Sequence, residues 1–265
     1  MPQAGCTREC CAGGRRVLVS SLALVDPAVR RVWLFDATPD LPEQLRRLQR
    51  IAPGFTLAGV FLTHAHIGHY TGLMHLGREA MGARRIPVYA MPRMRAFLAA
   101  NGPWDQLVRL ENIELEPLED ARPETLGPGL RVTPFLVPHR DEYSETVGFR
   151  IEGPHRSAVF IPDVDRWERW ARPVEEVIAD CDVAFLDGTF FSGDELPGRN
   201  LDEIPHPFIA ASLERFALLA PRERAKVRFI HLNHTNPALR PGSPAERGIR
   251  AAGCSVAREG ERVGL

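Results

Sequence analysis

Thr63-His64-Ala65-His66-Ile67-Gly68-His69 lies between the apolar run Val60-Phe61-Leu62 and the segment that begins at Tyr70. The apolar run predicts a buried strand, and the segment after the histidines predicts a helix over 70–81. Three histidines in an H-x-H-x-x-H spacing at a strand end can direct their imidazoles at one point. Because imidazole is the commonest protein ligand for zinc and similar ions, the stretch predicts a metal site rather than three unrelated surface histidines.

The same stretch resembles the signature of the metallo-β-lactamase superfamily, which normally reads H-x-H-x-D-H. His64 and His66 match the first pair, His69 matches the last histidine, and Gly68 replaces the usual aspartate. Four further motifs resemble the pyrroloquinoline-quinone biosynthesis protein B branch of that superfamily, namely Ser20-Ser21, 35–40, 186–189 and 231–237. The resemblance covers nearly the whole chain and implies an α/β fold, the metallo-β-lactamase-like αββα sandwich, with its site along one edge.

The resemblance also implies a set of metal ligands, namely His64, His66, His69, His139, Asp163 and His231. One ion would be held by His64, His66 and His139, with Asp163 beside it. A second ion would have His69, Asp163 and His231 but no ligand from Gly68, so the second site should be weaker, empty, or completed by water, Asp165 or His234. Zinc is expected, and iron or manganese are alternatives because histidines and a carboxylate suit those ions as well.

Further polar residues are candidates for roles around the metal, namely Asp36, Asp165, Asp187, His206 and His234. The three aspartates are expected to orient ligand histidines from outside the ligand set. Alternatively, Asp36 caps the following helix, a role that Asp40 fits better, and Asp165 caps a helix near Arg166.

Asp163, His206 and His234 are the candidate catalytic residues. His206 would face the substrate or lie on the surface at a helix entry. His234 would donate a proton or contact the substrate, unless Asn233 and Thr235 make it part of a capped turn. RNA-processing relatives carry a catalytic histidine where this chain has Leu186, which argues against tRNA maturation.

Cys6, Cys10 and Cys11 lie within the N-terminal segment 1–14. The resemblance implies a structural zinc knuckle there, with free thiols on a mobile terminus as the alternative and with no evident fourth ligand. It also implies a strand before Met1, so we hypothesise that the natural start lies upstream.

Composition excludes several classes of protein. The 265 residues are 44% hydrophobic, which predicts one large domain over 1–265. A net charge of −1 gives no basic field for nucleic acid, so a small-molecule substrate is expected.

An odd count of five cysteines favours reduced thiols in the cytoplasm, and two of them, Cys181 and Cys254, lie in segments that predict core. The run 17–25 predicts a buried strand rather than a signal segment, and it is too short to span a membrane. The oligomeric state stays open.

Three functions are compatible with these residues. The first is a metal-dependent hydrolase that uses metal-bound hydroxide on a small ester, amide, phosphodiester or lactone. The second is a role in quinone-cofactor biosynthesis, with iron-dependent oxidation of a tyrosine-derived substrate. The third is a non-catalytic carrier that keeps the fold and the ion.

Overall fold

The computed structural model describes residues 5–6 and 17–265. The described chain forms two compact units. The N-terminal unit contains residues 18–122 and 141–146, and the C-terminal unit contains residues 123–140 and 147–265. Each unit has its own sheet and its own apolar core. The expectation of one domain over 1–265 stays a prediction, because two compact units can belong to one domain.

The N-terminal unit has a five-stranded sheet in the order β1-β2-β3-β4-β5. Its strands are β1 (Leu22–Asp26), β2 (Arg31–Phe35), β3 (Thr56–Phe61), β4 (Ile86–Ala90) and β5 (Ile113–Pro117). Only the β1–β2 pair is antiparallel, and β5 is the last strand at its edge. The carboxyl ends of β2 and β3 therefore meet at one edge of the sheet, where Asp36 and the histidines follow.

Among the described residues, the α-helices of this unit are α1 (Leu41–Ile51), α2 (Ile67–Tyr70), α3 (Pro92–Ala100) and α4 (Trp104–Arg109). The core of the unit contains fully buried side chains from strands and helices, among them Val60, Leu73 and Leu98. Burying each large aliphatic side chain contributes about 1.5–3 kcal/mol.

The C-terminal unit has a seven-stranded sheet in the order β12-β11-β10-β9-β8-β7-β6. Its strands are β6 (Glu124–Gly127), β7 (Leu130–Leu136), β8 (Val147–Glu152), β9 (Ser157–Ile161), β10 (Val183–Asp187), β11 (Val227–Ile230) and β12 (Ser255–Val256). Strands β9 to β12 are parallel, and β6 to β9 are antiparallel. The ends of the parallel strands carry Asp163, Asp187 and His231.

In the part of this unit that the structure describes, the α-helices are α5 (Val174–Ala179), α6 (Ile209–Phe216), α7 (Pro221–Arg224) and α8 (Pro244–Ala251). Strands β8 and β9 form an antiparallel hairpin across Gly153-Pro154. The segment 192–204 contains two 3₁₀ turns, Gly193–Glu195 and Leu201–Glu203.

The helix predicted over 70–81 is wrong in extent. A short α-helix covers Ile67–Tyr70, and a 3₁₀ helix covers Thr71–Leu76. At Gly72 the backbone N–H donates to Ala37 O at 2.9 Å, and a Cβ there would lie 2.0 Å from Thr38 O. This close approach of two backbones needs glycine and sets the path of the segment, which helical periodicity does not reveal.

Asp40 occupies the first position before α1 but does not cap it through its side chain. Its carboxylate accepts instead from Val19 N at 2.9 Å and so holds the chain that enters β1. The run 17–25 was predicted as a strand throughout, but only the part from Leu22 onward is a strand.

Cys181 and Cys254 lie in the core of the C-terminal unit, as predicted, and each is 4% exposed. Burial raises the pKa of each thiol to about 11. Since only the thiolate reacts quickly with alkylating agents, we expect neither side chain to be alkylated by iodoacetamide at pH 8 in the folded protein. Peptide mass mapping before and after unfolding in guanidinium chloride tests this. Rapid alkylation of either cysteine in the folded state would contradict it.

Cys10 and Cys11 lie outside the described residues, so zinc binding by the N-terminal cysteines stays a prediction. Within the described residues, no helix has the length and apolar character needed to cross a membrane.

Candidate metal-binding site

Asp36 organises the histidines of the N-terminal unit. It follows β2, is 0% exposed and has a left-handed backbone with φ of 68°. One carboxylate oxygen, Oδ1, accepts from Thr63 N and Thr63 Oγ1 at 2.9 Å each. The other, Oδ2, accepts from His69 Nδ1 at 2.7 Å. Asp36 thus contacts one histidine directly and reaches a second one through Thr63.

These contacts determine which nitrogen of each ring carries the proton. An ionised carboxylate only accepts hydrogen bonds, so the Thr63 hydroxyl donates to Asp36. Thr63 Oγ1 must then accept from His64 Nδ1, which lies 2.9 Å away. His64 and His69 are therefore both protonated on Nδ1, which leaves Nε2 of each ring with a lone pair for a metal ion.

His66 completes this group. Its Nδ1 lies 2.8 Å from His64 Nε2, and its Nε2 lies 3.0 Å from Glu142 Oε2. A carboxylate oxygen of Glu142 accepts, so His66 Nε2 is the donor, and a neutral ring in this position has its lone pair on Nδ1. Two lone pairs then face each other across 2.8 Å, an arrangement that is stable only with a cation, either a proton or a metal ion, between them. The donor chemistry of this pair fits a metal ion.

Asp187 has the corresponding role in the C-terminal unit. It ends β10 and is 0% exposed. Its Oδ1 accepts from Thr189 N at 2.8 Å and from Thr189 Oγ1 at 2.7 Å, and its Oδ2 accepts from His206 Nδ1 at 2.8 Å. Thr189 Oγ1 lies 3.0 Å from His231 Nδ1. A buried strand-end aspartate again holds one histidine directly and another through a threonine, which leaves Nε2 of His206 and His231 for other contacts.

Asp187 and His206 affect each other electrostatically. Burial raises the pKa of Asp187. Burial alone would lower the pKa of His206, but the Asp187 carboxylate outweighs that effect and raises it. The pair is therefore a buried carboxylate–imidazole unit of the type used to orient a ring for proton transfer or ligation.

Asp163 lies beside this pair. Its Oδ1 is 3.4 Å from His206 Nδ1 and 3.5 Å from His231 Nδ1. Ligand atoms of Asp163, Asp187 and His206 all lie within 4.8 Å of one another. The rings of His139 and His206 have their centroids 5.4 Å apart. The C-terminal unit thus brings together His139, Asp163, Asp187, His206 and His231.

Asp165 and His234 have other surroundings. Asp165 accepts from Arg166 N at 2.7 Å and pairs with Arg169 at 2.8 Å. Asp165 therefore lies just before the 3₁₀ turn Trp167–Arg169 but does not cap it, because the N-cap is Arg166 and has no side-chain capping bond. Neither of these two contacts orients a histidine. His234 Nδ1 lies 3.0 Å from Asn233 Oδ1, and Asn233 Nδ2 donates to Thr235 Oγ1, so the capped-turn alternative describes its surroundings.

Sequence reasoning missed Thr63, Thr189 and Glu142. The two threonines carry a recognisable signal, because each lies at a strand end within the histidine or aspartate motif. Glu142 carries none, since its partner His66 is 76 positions away in the chain.

Comparison with known families and proteins gives matches over most or all of the chain. A family described as "Beta-lactamase superfamily domain" matches residues 30–252. Coenzyme PQQ synthesis protein B of Methylobacterium nodulans is 30% identical over 307 residues, covering 100% of this chain and 96% of that protein. The protein of the same name from Xanthomonas axonopodis pv. citri is 28% identical over 277 residues, and the match covers 96% of this chain and 89% of that protein.

Solved structures agree with these sequence relatives. Zn²⁺-bound PqqB from Methylobacterium extorquens superposes with a TM-score of 0.82 at 26% identity, covering 100% of this chain and 95% of that chain. A metallo-β-lactamase fold protein from Bacillus subtilis, YhfI, has a TM-score of 0.61 at 14% identity and covers 91% and 88% of the two chains. These likenesses confirm the predicted metallo-β-lactamase-like fold. The chain therefore belongs to the β-lactamase superfamily domain family and, within it, to the branch of coenzyme PQQ synthesis protein B.

Proposed function

We propose that the protein is a metal-dependent enzyme that acts in the synthesis of PQQ or of a closely similar quinone cofactor. The observation that carries this proposal is the 30% identity to a coenzyme PQQ synthesis protein B over 100% of the chain. A likeness of this extent covers the strand ends that hold the histidines and aspartates as well as the core. The substrate class that suits this role is a small, tyrosine-derived aromatic molecule.

The metal centre is part of the proposal. From the family resemblance alone, we assign His64, His66 and His139 as imidazole ligands of one ion, with Asp163 as the carboxylate. The orientation of the His64 and His66 rings supports the assignment of these two histidines, because each has the metal-binding nitrogen turned toward the other ring. A second ion with His69, Asp163 and His231 is weaker, since Gly68 has no side chain to donate.

Zinc and iron both suit such ligands. When bound, iron supplies one-electron and O₂ chemistry, whereas zinc acts as a Lewis acid. The chain itself contributes rings of defined tautomer and the Asp187–His206 pair. His206 has Nδ1 bound to Asp187, so its Nε2 is the nitrogen that can take or give a proton to a substrate.

A second candidate is hydrolysis of a small ester, amide, phosphodiester or lactone. The Asp187–His206 pair favours it specifically, because a carboxylate-oriented imidazole is suited to protonating a leaving group. The carboxylate that Gly68 replaces counts against efficient hydrolysis by two metal ions.

Four measurements on the purified full-length chain and one genetic test separate these functions. The measurements are the metal content, O₂ consumption with small tyrosine-derived compounds, the hydrolysis of generic esters and phosphodiesters, and the affinity for a quinone. The genetic test is complementation of a strain that lacks synthesis protein B. Iron with O₂ uptake, together with rescue of PQQ production in a strain that lacks synthesis protein B, is the expected result. Zinc with hydrolysis and no rescue would replace it with the second candidate. Tight binding of a quinone without turnover would indicate a carrier.

A further inference from the structure

The segment 141–146, here called the clamp segment, lies between β7 and β8 in sequence but is part of the N-terminal unit. Arg93 at the start of α3 holds its backbone, since Arg93 Nη2 donates to Asp141 O at 2.8 Å. Arg93 N also donates to the Glu145 carboxylate at 3.1 Å. The Tyr143 ring packs on Phe97 with centroids 5.4 Å apart. The clamp segment is therefore fixed on one helix at several points.

The clamp segment also contacts the histidine motif at two adjacent residues. Ser144 is 2% exposed, and its Oγ accepts from Ala65 N at 2.8 Å. Glu142 Oε2 lies 3.0 Å from His66 Nε2. One contact holds the backbone of the motif, and the other holds the ring of its second histidine.

The contact at His66 has a chemical consequence that the others lack. His64 and His69 are oriented from the buried Asp36, and His66 is not among the contacts described for that carboxylate. Glu142 is the carboxylate that makes Nε2 of His66 the donor and leaves its Nδ1 for the position shared with His64 Nε2. Loss of this acceptor removes the contact that favours a proton on Nε2 and that fixes the plane of the ring.

We propose that Glu142 is a positioning residue that holds His66 in the metal-binding tautomer and orientation. The inference rests on the proposed metal site and adds a carboxylate outside the family motif to it. Glu142 is 48% exposed and His66 is 24% exposed, so the pair contributes little to folding stability. Its effect is on the direction of the ring, and for contacts of this kind the loss of the partner weakens metal binding about 10- to 100-fold.

The test compares Glu142→Ala, Glu142→Gln and Glu145→Ala in the full-length chain. Glu145→Ala is the matched control, because it removes a carboxylate from the same segment that binds Arg93 N instead of a histidine. Zn²⁺ affinity is measured by competition with a chelator. The ¹⁵N shift of His66 Nε2 in the metal-free protein reports whether that nitrogen carries a proton, independently of a proton between His64 and His66. We expect Glu142→Ala to weaken Zn²⁺ binding about 10- to 100-fold and to populate the form of His66 in which Nε2 is unprotonated. Glu142→Gln, whose amide oxygen still accepts, should recover most of the loss, and Glu145→Ala should match the wild type.

Two results would overturn the inference. Equal Zn²⁺ affinity and equal His66 shifts in Glu142→Ala and wild type would remove any positioning role. Equal losses in Glu142→Ala and Glu145→Ala would assign the effect to packing of the clamp segment. If the wild type binds no metal ion, the proposed function fails, and the ¹⁵N shifts of the metal-free variants still decide whether Glu142 orients the ring.

Discussion

Replacement of His64 by alanine is expected to weaken metal binding about a hundredfold or more. The free energy of zinc binding at a structural protein site is about 10–16 kcal/mol. Divided among about four ligands, it gives about 3 kcal/mol for one imidazole, which corresponds to about a hundredfold in affinity. His64 is 1% exposed, and its ring is held by Thr63, so no other side chain replaces its Nε2 without rebuilding the strand end. Metal content after dialysis and Zn²⁺ affinity by chelator competition measure the loss.

His155→Ala is the matched control, because it makes the same chemical change at an exposed histidine in the turn between β8 and β9. It should bind metal like the wild type. Undiminished metal content in His64→Ala, with a normal circular dichroism spectrum, would mean that the first metal site is assigned to the wrong residues.

Asp36→Ala is expected to disturb two histidines at once and to destabilise the fold. Loss of the carboxylate removes the buried acceptor of Thr63 N, Thr63 Oγ1 and His69 Nδ1. Each group left unsatisfied lowers the free energy of unfolding by about 1–3 kcal/mol. The Thr63 hydroxyl is then free to donate to His64 Nδ1, which moves the proton of His64 to the metal-binding nitrogen. The free energy of unfolding in urea and the Zn²⁺ affinity should therefore both fall.

Asp36→Asn separates the two histidines. Its amide oxygen still accepts from Thr63, so His64 keeps its tautomer, whereas its N–H₂ group faces His69 Nδ1 and shifts the His69 proton to Nε2. ¹⁵N shifts of the two rings distinguish these outcomes. Asp40→Asn is the control, since Asp40 is a buried carboxylate of the same unit that binds Val19 N rather than a histidine. If Asp36→Asn left the His69 tautomer unchanged, Asp36 would not be the group that sets it.

The strand before the histidines was visible in the sequence, because buried strands appear as short apolar runs between turn residues. Val60 and Phe61 of the predicted run are buried and end the strand Thr56–Phe61. The short edge strand Glu124–Gly127 and the helix Trp104–Arg109 were missed, since neither is long enough to show a periodicity. The region after His69 was predicted as one helix because its apolar spacing is helical. Gly72 and its contact with Ala37 change that path, and such a contact depends on tertiary structure.

The individual site residues were more visible in the sequence than the interactions between them. Strand-end histidines and aspartates can be found from local patterns, and this is why Asp36 and Asp187 entered the candidate set. Their partners could not be assigned in advance. Asp36 has a left-handed backbone at the end of β2 and binds the histidine motif, whereas Asp40 binds Val19 N. Glu142 reaches His66 because the segment 141–146 folds onto α3.

The outer strand of the five-stranded sheet, Ile113–Pro117, also bears on how copies of the protein meet in solution. Glu114 and Glu116 project from the same side of it, and Pro117 offers no backbone donor at its end. Arg85 pairs with Glu114 at 2.8 Å, so the charge of Glu116 and the missing N–H of Pro117 are what a second strand would meet. A second molecule aligned along this border would find an incomplete hydrogen-bonding ladder, and growth of aggregates by strand addition is disfavoured there.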